Sequence, residues 1–191
     1  MKNLIIISAP SGSGKTTLCK TLQSEVPDIK WSISYTTRKR RDIEKNGIDY
    51  HFISNIGFKK LIDEYYFAEW EEVHGFYYGT SKKSIEGAII KNEMLLLEMD
   101  VKGALSIKKL YPNKTFSIFI TPPSIEHLRN RLQKRGTDSK DRINIRLQRF
   151  KEEMKYVSRF DFNLLNNDLI MAKNQLLNII FEIKKGEKYG T

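Results

Sequence analysis

Leu4-Ile5-Ile6-Ile7-Ser8-Ala9-Pro10-Ser11-Gly12-Ser13-Gly14-Lys15-Thr16 is the stretch that decides the fold class. Apolar residues over Leu4–Ser8 form a short strand of the buried type, a Gly- and Ser-rich turn follows, and the chain resumes as a helix through about Gln23. Residues 9–16 match the Walker A pattern in every position but the first, where Ala9 stands for glycine. Glycines are needed here because backbone N–H groups must wrap closely around phosphate oxygens, and side chains would hold them off. Lys15 can carry its charge to the β- and γ-phosphates, and Thr16 can offer a hydroxyl to Mg²⁺. The helix N-terminus adds the positive end of its dipole. A plain turn before a helix is the competing interpretation, and it does not account for Lys-Thr at this spacing in a strand–turn–helix context. Residues Ala9, Pro10, Ser11, Gly12, Ser13, Gly14, Lys15, Thr16 and Thr17 are therefore assigned to a nucleoside triphosphate site.

Outward from that loop, apolar runs of strand length alternate with helical stretches, the pattern of an α/β fold around a parallel sheet. Strands are expected over Met94–Glu98, Phe116–Ile120 and Phe162–Leu165, and helices over Val101–Leu110, Ile125–Arg135 and Leu169–Lys185. Ser124, after Thr121-Pro122-Pro123, suits a helix N-cap. A triphosphate site also needs a carboxylate near its metal, and the run Met94–Leu97 ends in Glu98-Met99-Asp100. Ligands of α/β folds gather at such strand ends. Asp100 is the first choice for the metal shell or the substrate and Glu98 the second, against the alternative that the acid caps a helix.

Two regions interrupt the alternation. Residues 32–82 are crowded with Tyr, Thr, Arg, Glu and Gly and suggest short strands and turns. Residues 124–149 hold Arg129, Arg131, Lys134, Arg135, Lys140, Arg142, Arg146 and Arg149, with Gly136-Thr137-Asp138-Ser139 as a loop between two basic helices. The expected organisation is a core of residues 1–32, 83–123 and 150–191, an insertion over 33–82, and a lid over 124–149.

Composition excludes other classes. In 191 residues, 40% hydrophobic and 29% charged is ordinary for a globular chain. No stretch reaches the roughly 20 apolar residues of a membrane span. The start Met1-Lys2-Asn3 before four apolar residues is not a secretory signal. The single cysteine, Cys19, points to no disulfide, so a cytoplasmic location is expected. A net charge of +10 fits either a nucleic-acid binder or a set of phosphate-binding arginines. Its placement decides between them.

In the middle segment, Ser34-Tyr35-Thr36-Thr37-Arg38-Lys39-Arg40-Arg41 is followed by Gly47-Ile48-Asp49-Tyr50, Glu69-Trp70, Val73-His74-Gly75 and Tyr78-Gly79-Thr80-Ser81. With Asp100-Val101-Lys102-Gly103-Ala104, Ile120–Ser124, Arg131-Leu132, Arg135-Gly136-Thr137, Arg146 and Asn166–Leu169, the sequence resembles the guanylate kinase family along nearly its whole length. The resemblance implies a P-loop nucleoside monophosphate kinase-like fold. It is a parallel sheet core flanked by helices, with a small mixed-β GMP-binding insertion and a helical lid.

It implies transfer of the γ-phosphoryl group of ATP to GMP with Mg²⁺, with no nucleic-acid or membrane partner. Ser34, Arg38, Arg41, Tyr50, Glu69, Tyr78, Thr80 and Asp100 would then line the GMP pocket. Arg131, Arg135 and Arg146 would join Lys15 as catalytic groups, Asn166 would lie near the adenine ring, and Thr16 and Asp100 would serve the metal.

The side-chain chemistry agrees. Guanidinium forks pair with phosphate, and the tyrosines add neutral donors. An ionised Glu69 accepts from guanine's ring N–H and amino group, whereas adenine presents an acceptor there. Tyr65, Tyr66, Phe67 and Trp70 are expected in the core, and Arg129, Lys134, Lys140, Arg142 and Arg149 on solvated helix faces. Arg40 and Ile43 depart from the family's usual Pro and Gly, and Glu71 and Phe76 from Ala and Asn. A phosphopeptide-binding scaffold of the same fold is disfavoured by the intact Lys15-Thr16 pair.

Overall fold

The structure, a computed structural model, describes residues 1–73, 75–134 and 139–186. In chain order these form β1 (Leu4–Ser8), α1 (Lys15–Glu25), β2 (Lys30–Trp31), β3 (Tyr35–Thr36), β4 (His51–Phe52), α2 (Asn55–Asp63), β5 (Phe67–Val73) and β6 (Phe76–Ser81). They continue with α3 (Lys82–Ile90), β7 (Leu95–Glu98), α4 (Val101–Leu110), β8 (Thr115–Thr121), α5 (Ile125–Lys134), α6 (Lys140–Met154), β9 (Phe162–Leu165) and α7 (Leu169–Lys185).

The core sheet runs β2-β7-β1-β8-β9, and every neighbouring pair is parallel. Both β1 and β8 are buried along their whole length; β1 is a continuous apolar run over Leu4–Ile7, whereas β8 carries the buried polar residues Thr115, Ser117 and Thr121 among its apolar ones. Residues of odd and even position face opposite layers. Ile5 and Ile7 pack with Leu18, Leu22, Leu176 and Ile180 of α1 and α7, whereas Leu4 and Ile6 pack with Ile85, Ala104 and Ile107 of α3 and α4. The C-terminal ends of β1, β7 and β8 thus open onto one edge, where the loop after β1, Glu98-Met99-Asp100 and Thr121 lie together.

A second, mixed sheet has the order β4-β3-β6-β5. The β5–β6 hairpin brings Glu69 opposite Thr80 and Glu71 opposite Tyr78, with a register shift between Phe67 and Glu69. Two helices border this region that short strands and turns did not anticipate. In α2, Ser54 accepts from the N–H of Gly57 and only Phe58 is buried. In α3, Ser81 accepts from Ser84 N, and Ile85 and Ala88 face inward. Each is short with few core contacts, so a side-chain cap sets where it starts. Of the aromatic run, Phe67 is core and Tyr66 shares a hydroxyl hydrogen bond with Tyr35. Tyr65 (81% exposed) and Trp70 (43%) are not core residues.

Helices α5 and α6 form a separate apolar cluster of Leu128, Leu132, Ile143 and Leu147. Ser124 Oγ accepts from His127 N at 3.2 Å, the expected cap. The expected boundary at residue 149 falls inside α6, which is continuous to Met154. Arg135, Gly136, Thr137, Asp138 and His74 lie outside the described residues. Among the described residues no helix is long and apolar enough to cross a membrane.

Candidate active site

The chain leaves β1 into the turn Ala9–Gly14, where Ser13 N donates to Pro10 O at 3.1 Å. Gly14 is the N-cap of α1 at φ 92°, a left-handed conformation that disfavours side chains. A Cβ there would also lie 2.4 Å from Asn166 Nδ2. The glycine therefore serves both the turn and the close approach of the strand β9 exit.

Lys15 and Thr16 open α1 and face the end of β7. Thr16 Oγ1 donates to Glu98 Oε1 at 2.6 Å. Lys15 Nζ donates to Met99 O at 3.1 Å and stands 4.0 Å from Glu98 Oε1. The acid that meets the threonine is thus Glu98, the second choice from sequence. Asp100, the first choice, caps α4 through Gly103 N → Oδ1 at 2.8 Å. The reason is geometric: Glu98 is the last residue of β7, level with Ile7 of β1, whereas the chain has already turned into α4 at Asp100.

A cleft of about 190 Å³ joins Lys15, Glu98, Met99 and Asp100 to the mixed sheet, where Ser34, Tyr50, Glu69, Glu71, Tyr78 and Thr80 line it. Six residues expected to line a GMP pocket, together with the loop lysine, are therefore brought to one place. Thr80 Oγ1 donates to Glu69 Oε1 at 2.5 Å across the β5–β6 register. Burial pushes the Glu69 carboxyl up to about 7; the Thr80 hydrogen bond opposes this, and the charges of Asp100 and Glu71 reinforce it. On its other side Glu69 Oε2 presses on α4, 2.7 Å from where a Cβ on Gly103 would sit. Burial also raises the Tyr50 hydroxyl pKa, with the Glu98 and Tyr78 charges adding to it.

Arg38 and Arg41 lie beyond Tyr50. The Arg38 guanidinium is 5.5 Å from the Tyr50 ring centroid and 5.6 Å from that of Phe52. It also grips Glu44 in a two-point pair, Nη2 to Oε1 at 2.8 Å and Nη1 to Oε2 at 3.0 Å. Arg41 extends outward with a side chain 60% exposed. Sequence reasoning passed over Glu44, a buried acid among Arg38, Lys39, Arg40, Arg41 and Lys45. The run holds two acids, Asp42 and Glu44, and only the second is buried, a difference that the sequence does not signal.

On the opposite side of the loop, Arg146 Nη1 donates to Ser11 Oγ, and Arg131 Nη2 to Asn166 O at 3.1 Å. These two are half-buried, while Arg129, Lys134, Lys140 and Arg142 are exposed as expected. Arg149 is not simply solvated: its Nε donates to Glu153 Oε1 at 3.0 Å. Asn166, expected beside the adenine ring, is 3% exposed and gives its amide to Ser13 O at 2.7 Å. Its backbone N–H bonds Thr121 O at 2.8 Å. The asparagine thus braces the loop from below. Thr17 is exposed on the first turn of α1.

The arrangement has a glycine-rich loop, a threonine–carboxylate pair, flanking arginines, and a carboxylate–hydroxyl pair facing the same cleft. The family model described as "Guanylate kinase" matches residues 1–183. A guanylate kinase of Wolinella succinogenes is 45% identical over 92% of this chain and 82% of its own length. One of Helicobacter pylori is 44% identical over 93% and 85%. The crystal structure of guanylate kinase from Anaplasma phagocytophilum superposes with a TM-score of 0.78 at 30% identity, covering 94% of this chain and 85% of that one. By sequence along almost its full length and by fold, the chain belongs to the guanylate kinase family.

Proposed function

We propose that the chain is a cytoplasmic enzyme that transfers the γ-phosphoryl group of ATP to GMP, giving ADP and GDP, and that its arginines serve mononucleotides rather than a nucleic acid. The observation that carries this is the single cleft lined by Lys15 at one end and by the Glu69–Thr80 pair at the other. ATP phosphates occupy the loop Ala9–Gly14, with Lys15 released from Met99 O to meet them. GMP lies across the cleft with its base on Glu69, Thr80, Ser34 and Asp100 and its phosphate toward Tyr50, Tyr78, Arg38 and Arg41.

Glu69 reads guanine because an ionised carboxylate only accepts, and guanine's edge offers two adjacent donors. A buried acceptor left facing adenine's ring nitrogen is unpaired, and sites of this kind reject the wrong partner by about 10⁴-fold. Phosphoryl transfer itself asks for positioning and charge neutralisation rather than for covalent chemistry, so the attacking oxygen is that of the GMP phosphate. Arg131 and Arg146, already at the rim of the loop, neutralise charge on the transferring group. Arg135 is assigned the same role from the family resemblance alone.

Mg²⁺ takes one or two protein oxygens and fills its shell with water and phosphate. Thr16 Oγ1 and Glu98 Oε1, held 2.6 Å apart at the loop, suit that demand. They form the proposed metal set, with Asp100 kept for the substrate side. When bound, the ion supplies positive charge to the phosphate oxygens.

The test mixes protein with MgATP and GMP, AMP, UMP or CMP in turn and follows ADP formation. ADP is expected with GMP alone. Transfer to AMP or UMP would overturn the reading of Glu69 and Thr80, and no transfer to any acceptor would overturn the enzymatic reading.

A further inference from the structure

Around Glu44 the polypeptide ties a knot that none of the roles above requires. The residue is 8% exposed although it lies in the most basic stretch of the mixed-sheet region. Its Oε1 and Oε2 take two hydrogen bonds from Arg38, at 2.8 and 3.0 Å. Oε2 also takes the backbone N–H of Arg41 at 2.8 Å, and Oε1 stands 3.7 Å from Arg41 Nη1. Its own carbonyl accepts from Arg40 Nη1 at 2.8 Å, and its N–H donates to Arg41 O at 3.0 Å. One short segment is thus closed on itself around a single carboxylate.

The donor count shows what this does. A guanidinium has five N–H donors. Arg38 spends three, two on Glu44 and one on Lys39 O at 2.8 Å. The remaining side of the fork, where the Tyr78 hydroxyl also bonds it, keeps a fixed direction because the planar group cannot turn while both oxygens of Glu44 hold it. Arg38 also lies against the Tyr50 and Phe52 rings. Burial works to raise the Glu44 pKa, but the Arg38 hydrogen bonds, the Arg41 N–H and both arginine charges hold it below the usual carboxylate range. The knot therefore stays charged at neutral pH.

We infer that Glu44 is a positioning residue for the acceptor's phosphate: with Tyr78 on the other side of the fork, it orients the Arg38 guanidinium, and it fixes the backbone of Arg41 before the nucleotide arrives. The chemical group served is a phosphate monoester, and Glu44 acts on it only through the two arginines. Arg40 closes the same loop from outside through the Glu44 carbonyl. The inference rests on the reading of Arg38 and Arg41 as phosphate ligands.

The experiment measures GMP and guanosine affinity by calorimetry for wild type, Glu44→Ala, Glu44→Gln and Arg38→Ala, with circular dichroism as a check on folding. Glu44→Ala is expected to weaken GMP about 30-fold while guanosine stays within about twofold, because only the phosphate contact loses its geometry. Glu44→Gln, which keeps one acceptor oxygen, should fall between. Equal weakening of GMP and guanosine would make Glu44 a general prop of the fold and overturn the inference. So would unchanged or tighter GMP binding, which would make Glu44 only a competitor for the arginines. If Arg38→Ala leaves the GMP-to-guanosine ratio untouched, the phosphate reading itself fails. If Arg38→Ala removes the ratio and Glu44→Ala does not, only the inference about Glu44 fails.

Discussion

Lowering the pH from 8 to 6 should weaken GMP binding about tenfold through Glu69 alone. Burial, with the charges of Asp100 and Glu71 and against the Thr80 hydrogen bond, sets its carboxyl at about 7. Guanine's donors need the ionised form, so the apparent KM for GMP scales inversely with the ionised fraction. That fraction is roughly nine-tenths at pH 8, about half at pH 7 and about one-tenth at pH 6. The GMP phosphate, with a second pKa near ~6, adds about a factor of two over the same range. Folding stability carries the opposite sign. A folded pKa above the ordinary 4.5 contributes stability that is complete below that value and lost as pH rises through about 7, up to roughly 3 kcal/mol. The assay is initial rate against GMP concentration between pH 6 and 8 at saturating MgATP, with Glu69→Gln alongside. The variant should bind GMP weakly and keep only the shallow phosphate slope. A flat wild-type KM, or the same slope in both proteins, would refute the argument that Glu69 reads the base.

Other perturbations follow from single contacts. Gly103→Ala places a Cβ 2.7 Å from Glu69 Oε2 and 3.3 Å from Asp100 Oδ1. The carboxylate must retreat by several tenths of an ångström, so KM for GMP should rise about tenfold with KM for ATP unchanged in steady-state kinetics. Glu98→Gln weakens the partner of Thr16, and the Mg²⁺ concentration for half-maximal rate should rise several-fold in a metal titration at fixed ATP. Asp161 takes both Ser117 N at 2.8 Å and Ser117 Oγ at 2.7 Å, and Lys108 Nζ at 2.8 Å, where β8 meets the approach to β9. Asp161→Ala leaves those donors without their acceptor and should cost about 2 kcal/mol, read as a lower Tm with KM values unchanged.

The parts of the fold that sequence made legible are those governed by local rules. The bounds of β1, α4, β9 and α7 follow from apolar runs and from caps such as Asp100 and Asp168. The loop after β1 is set by glycine and lysine spacing within eight residues. By contrast, α2 carries Phe58, Leu61 and Ile62 at helical spacing behind the Ser54 cap, but it is only nine residues long and sits among turn-forming residues that mask the pattern. The site divides the same way. Residue types announced Lys15 and Thr16, whereas the choice of Glu98 over Asp100 depends on where β7 stops and α4 begins. The approach of Gly103 to Glu69 joins residues far apart in sequence, which no local pattern encodes. Asn166 was noticed, but its burial under the loop is a matter of how β9 abuts α1.

The cross-strand pairing of Glu69 with Thr80 has an evolutionary corollary. On the donor side the proposed phosphate contacts are largely main-chain amides, which a point mutation cannot replace and which every descendant inherits. On the acceptor side, the proposed choice of base rests on two side chains facing each other across one rung of a hairpin. Loss of the triphosphate site would require the loop to be rebuilt, whereas drift in acceptor preference needs only one or two codon changes on β5 and β6. A lineage built this way would keep its way of holding a triphosphate while it diversified in what it phosphorylates.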